Sequence, residues 1–307
     1  MTDSSIDSHG GRSPWLRTVS LFAGFVAIVL VAIVAAQIVR SGGVSHSATT
    51  GFNPLYAISG LLVGVLVGLT GVGGGSLMTP LLVLLFGFNP GTAVGTDLLY
   101  ASATKAVGTV VHGANKTVDW KITGYMALGS IPAAAASVVF LYVLRAHGDN
   151  TSKLISTVLG FALVLTAVTL LFRKQIFEFA ASRSFAPGAR TTTILTVVLG
   201  AVLGVLITLS SVGAGAIGVT VLIFLYPKLP ISRIVGSDIA HAVPLTLIAG
   251  AGHFALGTVN LPLLGSLLTG SIPGIIIGSQ LTARIPERVL RPILAGTLLL
   301  VGGKLAF

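Results

Sequence analysis

Thr70-Gly71-Val72-Gly73-Gly74-Gly75-Ser76 stands inside an otherwise apolar run from Leu55 to Phe86. Each glycine costs a helix roughly 1 kcal/mol against alanine, and three in a row leave backbone groups poorly covered. In lipid such a backbone persists only where it is buried in protein or lines a cavity. The stretch therefore reads as a helix break at membrane depth and as a candidate binding site. Ser210-Ser211-Val212-Gly213-Ala214-Gly215-Ala216 repeats the feature in the second half of the chain.

The surrounding composition requires the membrane. Of 307 residues, 53% are hydrophobic and only 8% charged, where a soluble domain carries about 25% charged residues. Long apolar runs recur from Thr18 to Phe307, so the expected fold is an all-α polytopic membrane protein. The net charge of +10 does not point to nucleic acid, because the basic residues lie mostly between apolar runs. The chain has no cysteine, which leaves out disulfide, thiol and Cys-ligated metal chemistry. No cofactor or metal ligand set is expected.

Outward from the breaks, the expected spans follow in order. Thr18–Val39, preceded by Arg12 and Arg17, is too apolar and too long for a signal-peptide core and reads as an extra N-terminal transmembrane helix. Leu55–Thr70 and Leu77–Phe86 flank the first break. Helices are expected over Thr92–His112, Ile122–Leu144 and Leu154–Phe172. Thr191–Leu209 and Ala216–Tyr226 flank the second break, followed by Ile234–His253, Leu261–Leu281 and Pro292–Phe307. The expected units are residues 1–50 (cytoplasmic tail and first span), 51–175 (first repeat), 176–190 (cytoplasmic linker) and 191–307 (second repeat).

The repeat has a register. Residues 94–132 match 235–273 at a constant offset of 141. Val94-Gly95-Thr96-Asp97 pairs with Val235-Gly236-Ser237-Asp238, His112 with His253, and Gly129-Ser130-Ile131-Pro132 with Gly270-Ser271-Ile272-Pro273. The glycine breaks align at an offset of 140. Shared membrane composition alone would not keep Asp, His and Pro in step.

Charge distribution decides between two topologies. If each broken segment crosses once, the loop Lys and Arg residues divide almost evenly. If each turns back like a hairpin, one side holds Arg12, Arg17, Lys116, Lys121, Arg173, Lys174, Arg183, Arg190, Lys228, Arg233, Arg284, Arg288 and Arg291. The other side then holds Arg40, Arg145, Lys153 and Lys304. The second division obeys the positive-inside rule. It puts the N-terminus in the cytoplasm and the C-terminus outside, and it makes the two repeats inverted. Inverted repeats with Gly-interrupted segments at matching positions are the sequence pointer to a transporter whose site lies between the halves.

The candidate site residues follow. Gly73, Gly74, Gly75, Ser76, Ser211, Gly213 and Gly215 would present free N–H groups, half-helix dipoles and hydroxyls to an anion. Lys105 is the Lys or Arg that falls in neither loop set and would supply positive charge beside them. Asp97, His112, Asp238 and His253 form a polar stripe that could carry a coupling ion. Gly95-Thr96 reads as a helix cap, which would make Asp97, and Asp238 likewise, a residue of a helix start. His112 and His253 lie near helix ends, where an ordinary polar contact competes with any direct role.

Val72-Gly73-Gly74-Gly75-Ser76 followed by Pro80, then Gly95-Thr96-Asp97 and Gly129-Ser130-Ile131-Pro132, resembles the TauE/SafE sulfite exporter family of bacterial membrane permeases over about residues 51–307. The resemblance implies transport of sulfite, an organosulfonate or a related carboxylate anion across the inner membrane, with export as the expected direction. Gly213-Ala214-Gly215-Ala216 is a weaker copy of the first break. No G-x-x-x-x-G-K-[ST] motif is present to drive an ATP pump, so a secondary transporter, not an enzyme, is expected. Its partners would be the small anion and the lipid bilayer. Proton or sodium coupling and assembly as a homo-oligomer stay open. An anion channel is the alternative, and an intramembrane hydrolase built on Ser76 and His112 a more distant one.

Overall fold

The computed structural model describes residues 52–70, 75–147, 151–172, 175–176, 178, 188–213, 215–281 and 287–306. The expected span Thr18–Val39 and the glycines Gly73 and Gly74 lie outside the described residues, as does most of the 176–190 linker.

Ten helices of known bounds form an all-α membrane protein, with no strand among the described residues. In chain order they are α1 (Pro54–Thr70), α2 (Gly75–Leu84), α3 (Pro90–Ala114), α4 (Trp120–Ala146) and α5 (Thr151–Leu171). Then come α6 (Ala189–Ser210), α7 (Ile217–Leu225), α8 (Ile231–Ala255), α9 (Leu261–Leu281) and α10 (Glu287–Ala306). By length and apolarity α4, α5, α6 and α8 can each cross a membrane. Their outward faces carry large apolar side chains such as Leu128, Phe140, Phe161, Val198 and Val202, exposed in the protein alone and suited to lipid.

Short polar side chains start several helices. Asn53 Oδ1 accepts from Leu55 N–H, Asn89 Oδ1 from Gly91 N–H, Asp119 Oδ1 from Lys121 N–H, and Asn260 Oδ1 from Leu263 N–H. Such caps satisfy amide groups that have no partner inside the helix. They correct one expectation. α3 is capped at Asn89, not at Gly95-Thr96, so Asp97 lies two turns inside the helix. Asp238 lies equally deep in α8, which starts at Ile231. Gly95 is small because the end of α8 and the turn after it leave no space there: a Cβ would stand 2.8 Å from the Thr258 carbonyl oxygen and 3.0 Å from the His253 Cβ.

Helices pair across the chain. α1 packs along α9, and α6 along α4, through matching stripes of small residues. Gly60 and Gly64 face the backbone at Leu267 and Ser271, while Gly200 and Gly204 face it at Met126 and Ser130. These are small-xxx-small contacts, in which missing side chains let two helix backbones touch. α3 crosses α8, and α5 lies along α10. Both of the latter pairs run antiparallel: Gly95 meets His253 while Gly108 meets Ile239, and Gly160 meets Ala306 while Leu163 meets Gly302.

The same contacts fix the course of the broken segments. α1 runs parallel to α9, since Ala57 meets Gly270 and Leu61 meets Gly274. α3 also runs parallel to α9, since Thr96 binds Asn260 and Tyr100 binds Ser271. α1 and α3 therefore point the same way, and α2 between them has to lead the chain back. In the second half α6 and α8 both run parallel to α4, through Gly200–Met126 and Gly204–Ser130 on one side and Thr123–Ser237 and Ser130–His241 on the other. α7 is the corresponding return. At 10 and 9 residues these helices are about 15 Å long, half a bilayer core.

Candidate functional site

The second break is described almost completely. α6 ends at Ser210, and Ser211 adopts φ 58°, ψ 5°, its N–H bound to the Ile207 carbonyl. A left-handed residue after the last turn is a common helix stop, although usually a glycine. Gly213 and Gly215 follow at φ 122° and 93°. The Ser210 hydroxyl ties the turn, accepting from Val212 N–H and donating to the Leu206 carbonyl. The chain re-enters a helix at Ile217, whose N–H reaches the Gly213 carbonyl. Glycine is required here by the backbone angles themselves. Of the first break, the structure describes Gly75 as the first residue of α2.

Two buried aspartates lie against α2 and α7, the helices that follow the breaks. Asp97 of α3 is completely buried and accepts a 2.5 Å hydrogen bond from the Thr79 hydroxyl of α2. Its other oxygen, Oδ1, has no hydrogen-bond partner among the described residues. The Ser211 side chain of the second break comes up beside the same carboxylate, and its hydroxyl is also unpartnered. One acid from the first half thus touches the flanks of both breaks. Leu77, just past the first break, packs on the apolar cluster that contains Val212 of the second.

Asp238 of α8 is the counterpart. It is 1% exposed. Its Oδ1 lies against the α carbon of Gly218, where a Cβ would come within 2.3 Å of it. The Gly215 backbone approaches from the start of α7. A carboxylate at that position is favoured by the helix dipole and by free N–H groups. Gly218 is therefore a site residue that repeat matching did not reveal, since Met78 stands at its position in the first half.

Lys105 lies two turns beyond Asp97 on α3 and is partly buried. Its ammonium is within electrostatic reach of both Asp97 and Asp238 and also of His241. The fold explains how one cation serves two acids. Ser102 contacts Val243, its own equivalent in the other half, so α3 and α8 cross there and Lys105 stands one turn from the crossing. The structure thus brings together Lys105, Asp97, Asp238, Ser211 and Gly215.

The two histidines of the stripe have other partners. His112 Nδ1 meets Thr117 Oγ1 at 2.8 Å, closing the turn after α3. His253 meets Thr258 Oγ1 at 2.9 Å in the same way, and its Nε2 reaches the Thr208 carbonyl at 3.0 Å. A neutral imidazole with its proton on Nε2 satisfies both contacts. The histidine inside the site is His241. Its Nε2 is 2.8 Å from Ser130 Oγ and its Nδ1 has no partner among the described residues.

His241 occupies the position equivalent to Tyr100, whose hydroxyl binds Ser271 Oγ. Ser271 is in turn the equivalent of Ser130. The two contacts are one contact made twice, with Tyr in one half and His in the other. Because the residue types differ, identity matching could not expose them. The serines were visible only as part of the Gly-Ser-Ile-Pro motif.

Comparison with known proteins adds to this geometry. The family model described as Sulfite exporter TauE/SafE matches residues 56–305. A probable membrane transporter, YjnA of Bacillus subtilis, is 40% identical over 81% of this chain and 97% of its own length. A second from that organism, YdhB, is 28% identical over 78% of this chain and 96% of its own. A probable membrane transporter of Methanocaldococcus jannaschii, MJ0441, is 26% identical over 81% and 93%. No solved structure matches the chain.

Proposed function

The chain belongs to the sulfite exporter TauE/SafE family, and from that premise we propose that this multi-pass membrane transporter moves a small oxyanion through the space between its two helix breaks. The observation that carries the proposal is the set of unpartnered polar atoms around Lys105: Asp97 Oδ1, Asp238 Oδ1, Ser211 Oγ and His241 Nδ1, each on a fully or nearly fully buried residue. Buried polar atoms without partners are rare in proteins. In lipid they mark a ligand path more often than a defect.

Within this reading the anion lies against the backbone N–H groups of the breaks, at Gly73, Gly74, Gly75, Gly213 and Gly215, with hydroxyls from Ser76 and Ser211. Glycine lets an oxyanion approach the backbone closely. Lys105 supplies the charge. The cargo class is sulfite, an organosulfonate or a related carboxylate, and export is the working direction. An inside-negative potential favours outward movement of net negative charge by about 2.3 kcal/mol per charge per 100 mV. Residues 51–175 and 191–307 act as two oppositely oriented halves in the cytoplasmic membrane, with the N-terminus inside. The antiparallel α3–α8 and α5–α10 pairs support opposite orientation, because halves related by an axis along the membrane normal would cross in parallel.

The test is flux into proteoliposomes across sulfite, sulfate, methanesulfonate and small carboxylates, repeated for Lys105→Met. The expected result is saturable transport of one class, with roughly tenfold or greater loss of affinity in the variant, since a charge-assisted contact is worth about 1.5–3 kcal/mol. Unchanged affinity would remove Lys105 from the site. Non-saturable flux that never exceeds the imposed gradient would favour a channel.

A further inference from the structure

We propose that Asp97, Lys105 and Asp238 form a single proton-coupling site in which one ammonium serves two acids, one from each half, and the acid that a bound anion displaces from that ammonium carries the transported proton. The inference rests on the anion-transport reading and adds its coupling ion and stoichiometry.

The argument is a charge count in a dry place. Asp97 and Asp238 are 0% and 1% exposed. Lys105 is the one basic residue of α3 apart from His112, and it acts on both acids. Two carboxylates against one ammonium leave one negative charge uncompensated. At membrane depth such a charge is neutralised or moved to water. The elements around the cluster can be checked for another cation among the described residues. α9 has no ionisable residue, α5 carries Lys153 in its exposed first turn, and α4 carries exposed Lys121 and Arg145, whose guanidinium binds the Leu256 carbonyl. On α8, Arg233 pairs with Asp119 and His253 is held by Thr258 and the Thr208 carbonyl. α3 adds Tyr100, held by Ser271. α8 adds His241, whose Nε2 meets Ser130. α2 and the end of α6 add only hydroxyls, Thr79 and Ser211, and α7 has no ionisable residue. His241 is completely buried near the Lys105 ammonium, and a second uncompensated positive charge in such a place is costly. The remaining way to balance the cluster is a proton on one carboxyl.

The geometry offers that proton a place on either acid, since each presents one oxygen without a partner. The two are not equivalent. Asp97 is held by a neutral hydroxyl, Thr79, whereas Asp238 lies at the N-terminal end of α7, where ionisation is favoured. An oxyanion that engages Lys105 takes the place of the carboxylate it was neutralising, so that carboxylate gains a proton as the anion binds and loses it as the anion leaves, while the other acid stays protonated throughout; the loaded and empty sites differ by one proton per anion. The exchange is a simple transfer: a proton from water on one side joins a carboxylate oxygen and leaves to water on the other, with no other bond made or broken. A sodium ion is the competing occupant, and the nearby ammonium repels it.

The full chain in proteoliposomes provides the test, with labelled sulfite and labelled methanesulfonate as cargo and the membrane potential clamped at zero. One proton per anion predicts roughly tenfold accumulation for each unit of pH gradient. The double variant Asp97→Asn/Asp238→Asn should lose gradient-driven accumulation yet retain anion–anion exchange, whereas either single variant leaves one acid beside Lys105 and should keep one proton per anion. Retained exchange also shows that the variants are folded. Accumulation by the wild type that ignores the pH gradient, or follows a sodium gradient instead, overturns the inference. So does a double variant that keeps proton-driven accumulation, or a single variant that loses it. An Asn variant that elutes like wild type but has lost exchange too also overturns it, by placing that acid in anion binding. If the wild type moves neither anion, the substrate reading fails first and the inference falls with it.

Discussion

Substitution of Gly270 by alanine tests the packing on which the site depends. A Cβ there would lie 1.7 Å from the Ala57 carbonyl oxygen, 2.7 Å from its carbon and 2.8 Å from Leu61 N. All three atoms are helix backbone, so no side chain can swing away. Relief requires α1 and α9 to part by about 1.5 Å if an ordinary carbon–oxygen contact near 3.3 Å is to return. Overpacking a well-packed interface typically costs 1–3 kcal/mol, and the rigidity here argues for the upper end, about 3 kcal/mol. For a chain of this size that corresponds to a fall of roughly 6–12 °C in Tm. Gly129→Ala should behave alike, because its Cβ would lie 1.9 Å from the Val197 carbonyl oxygen. Gly124→Ala in α4 and Gly265→Ala in α9 are the controls, since a Cβ at either meets nothing within 4 Å. Thermal unfolding in detergent, followed by intrinsic fluorescence, reads the four variants side by side. If Gly270→Ala and Gly129→Ala unfold within 2 °C of their controls, roughly what 1 kcal/mol or less would produce, the close α1–α9 and α4–α6 packing is refuted.

Gly213→Ala places a side chain at φ 122°; an off-region backbone costs about 1–3 kcal/mol, so transport and thermal stability should both fall, and an unchanged variant would argue against the described course of the break. His253→Phe removes the contacts to Thr258 and the Thr208 carbonyl. It should lower stability by about 1–3 kcal/mol while leaving the pH dependence of anion flux in place; a shifted pH profile would return His253 to the coupling machinery. Arg145→Met removes its hydrogen bond to the Leu256 carbonyl at the end of α8, and should cost about 1 kcal/mol with no change in cargo affinity, as measured by denaturation alongside saturable flux.

Much of this molecule can be read from its residues in order. Low charge and long apolar runs require lipid, because a chain with 8% charged residues has too little polar surface to face water. The offset of 141 aligns Asp97 with Asp238 and Gly129 with Gly270 before any coordinates exist. The glycines announce a break because no other residue tolerates the backbone angles found at Gly213 and Gly215. What tertiary structure decided is which distant surfaces meet. α1 lies along α9 and α6 along α4, pairings about 207 and 74 residues apart (Gly60–Leu267, Met126–Gly200) in which the small residues alone are visible from the sequence. Local reading took Thr96 for the cap of its own helix, when its hydroxyl instead receives Asn260 N–H from across the protein. Matching identities could not pair Tyr100 with His241, because their equivalence is one of position and not of residue type. The crossing of α3 and α8 lets one lysine serve two acids, and spacing along one helix could not show that: Asp238 reaches Lys105 through space, where charge acts, and not through the chain.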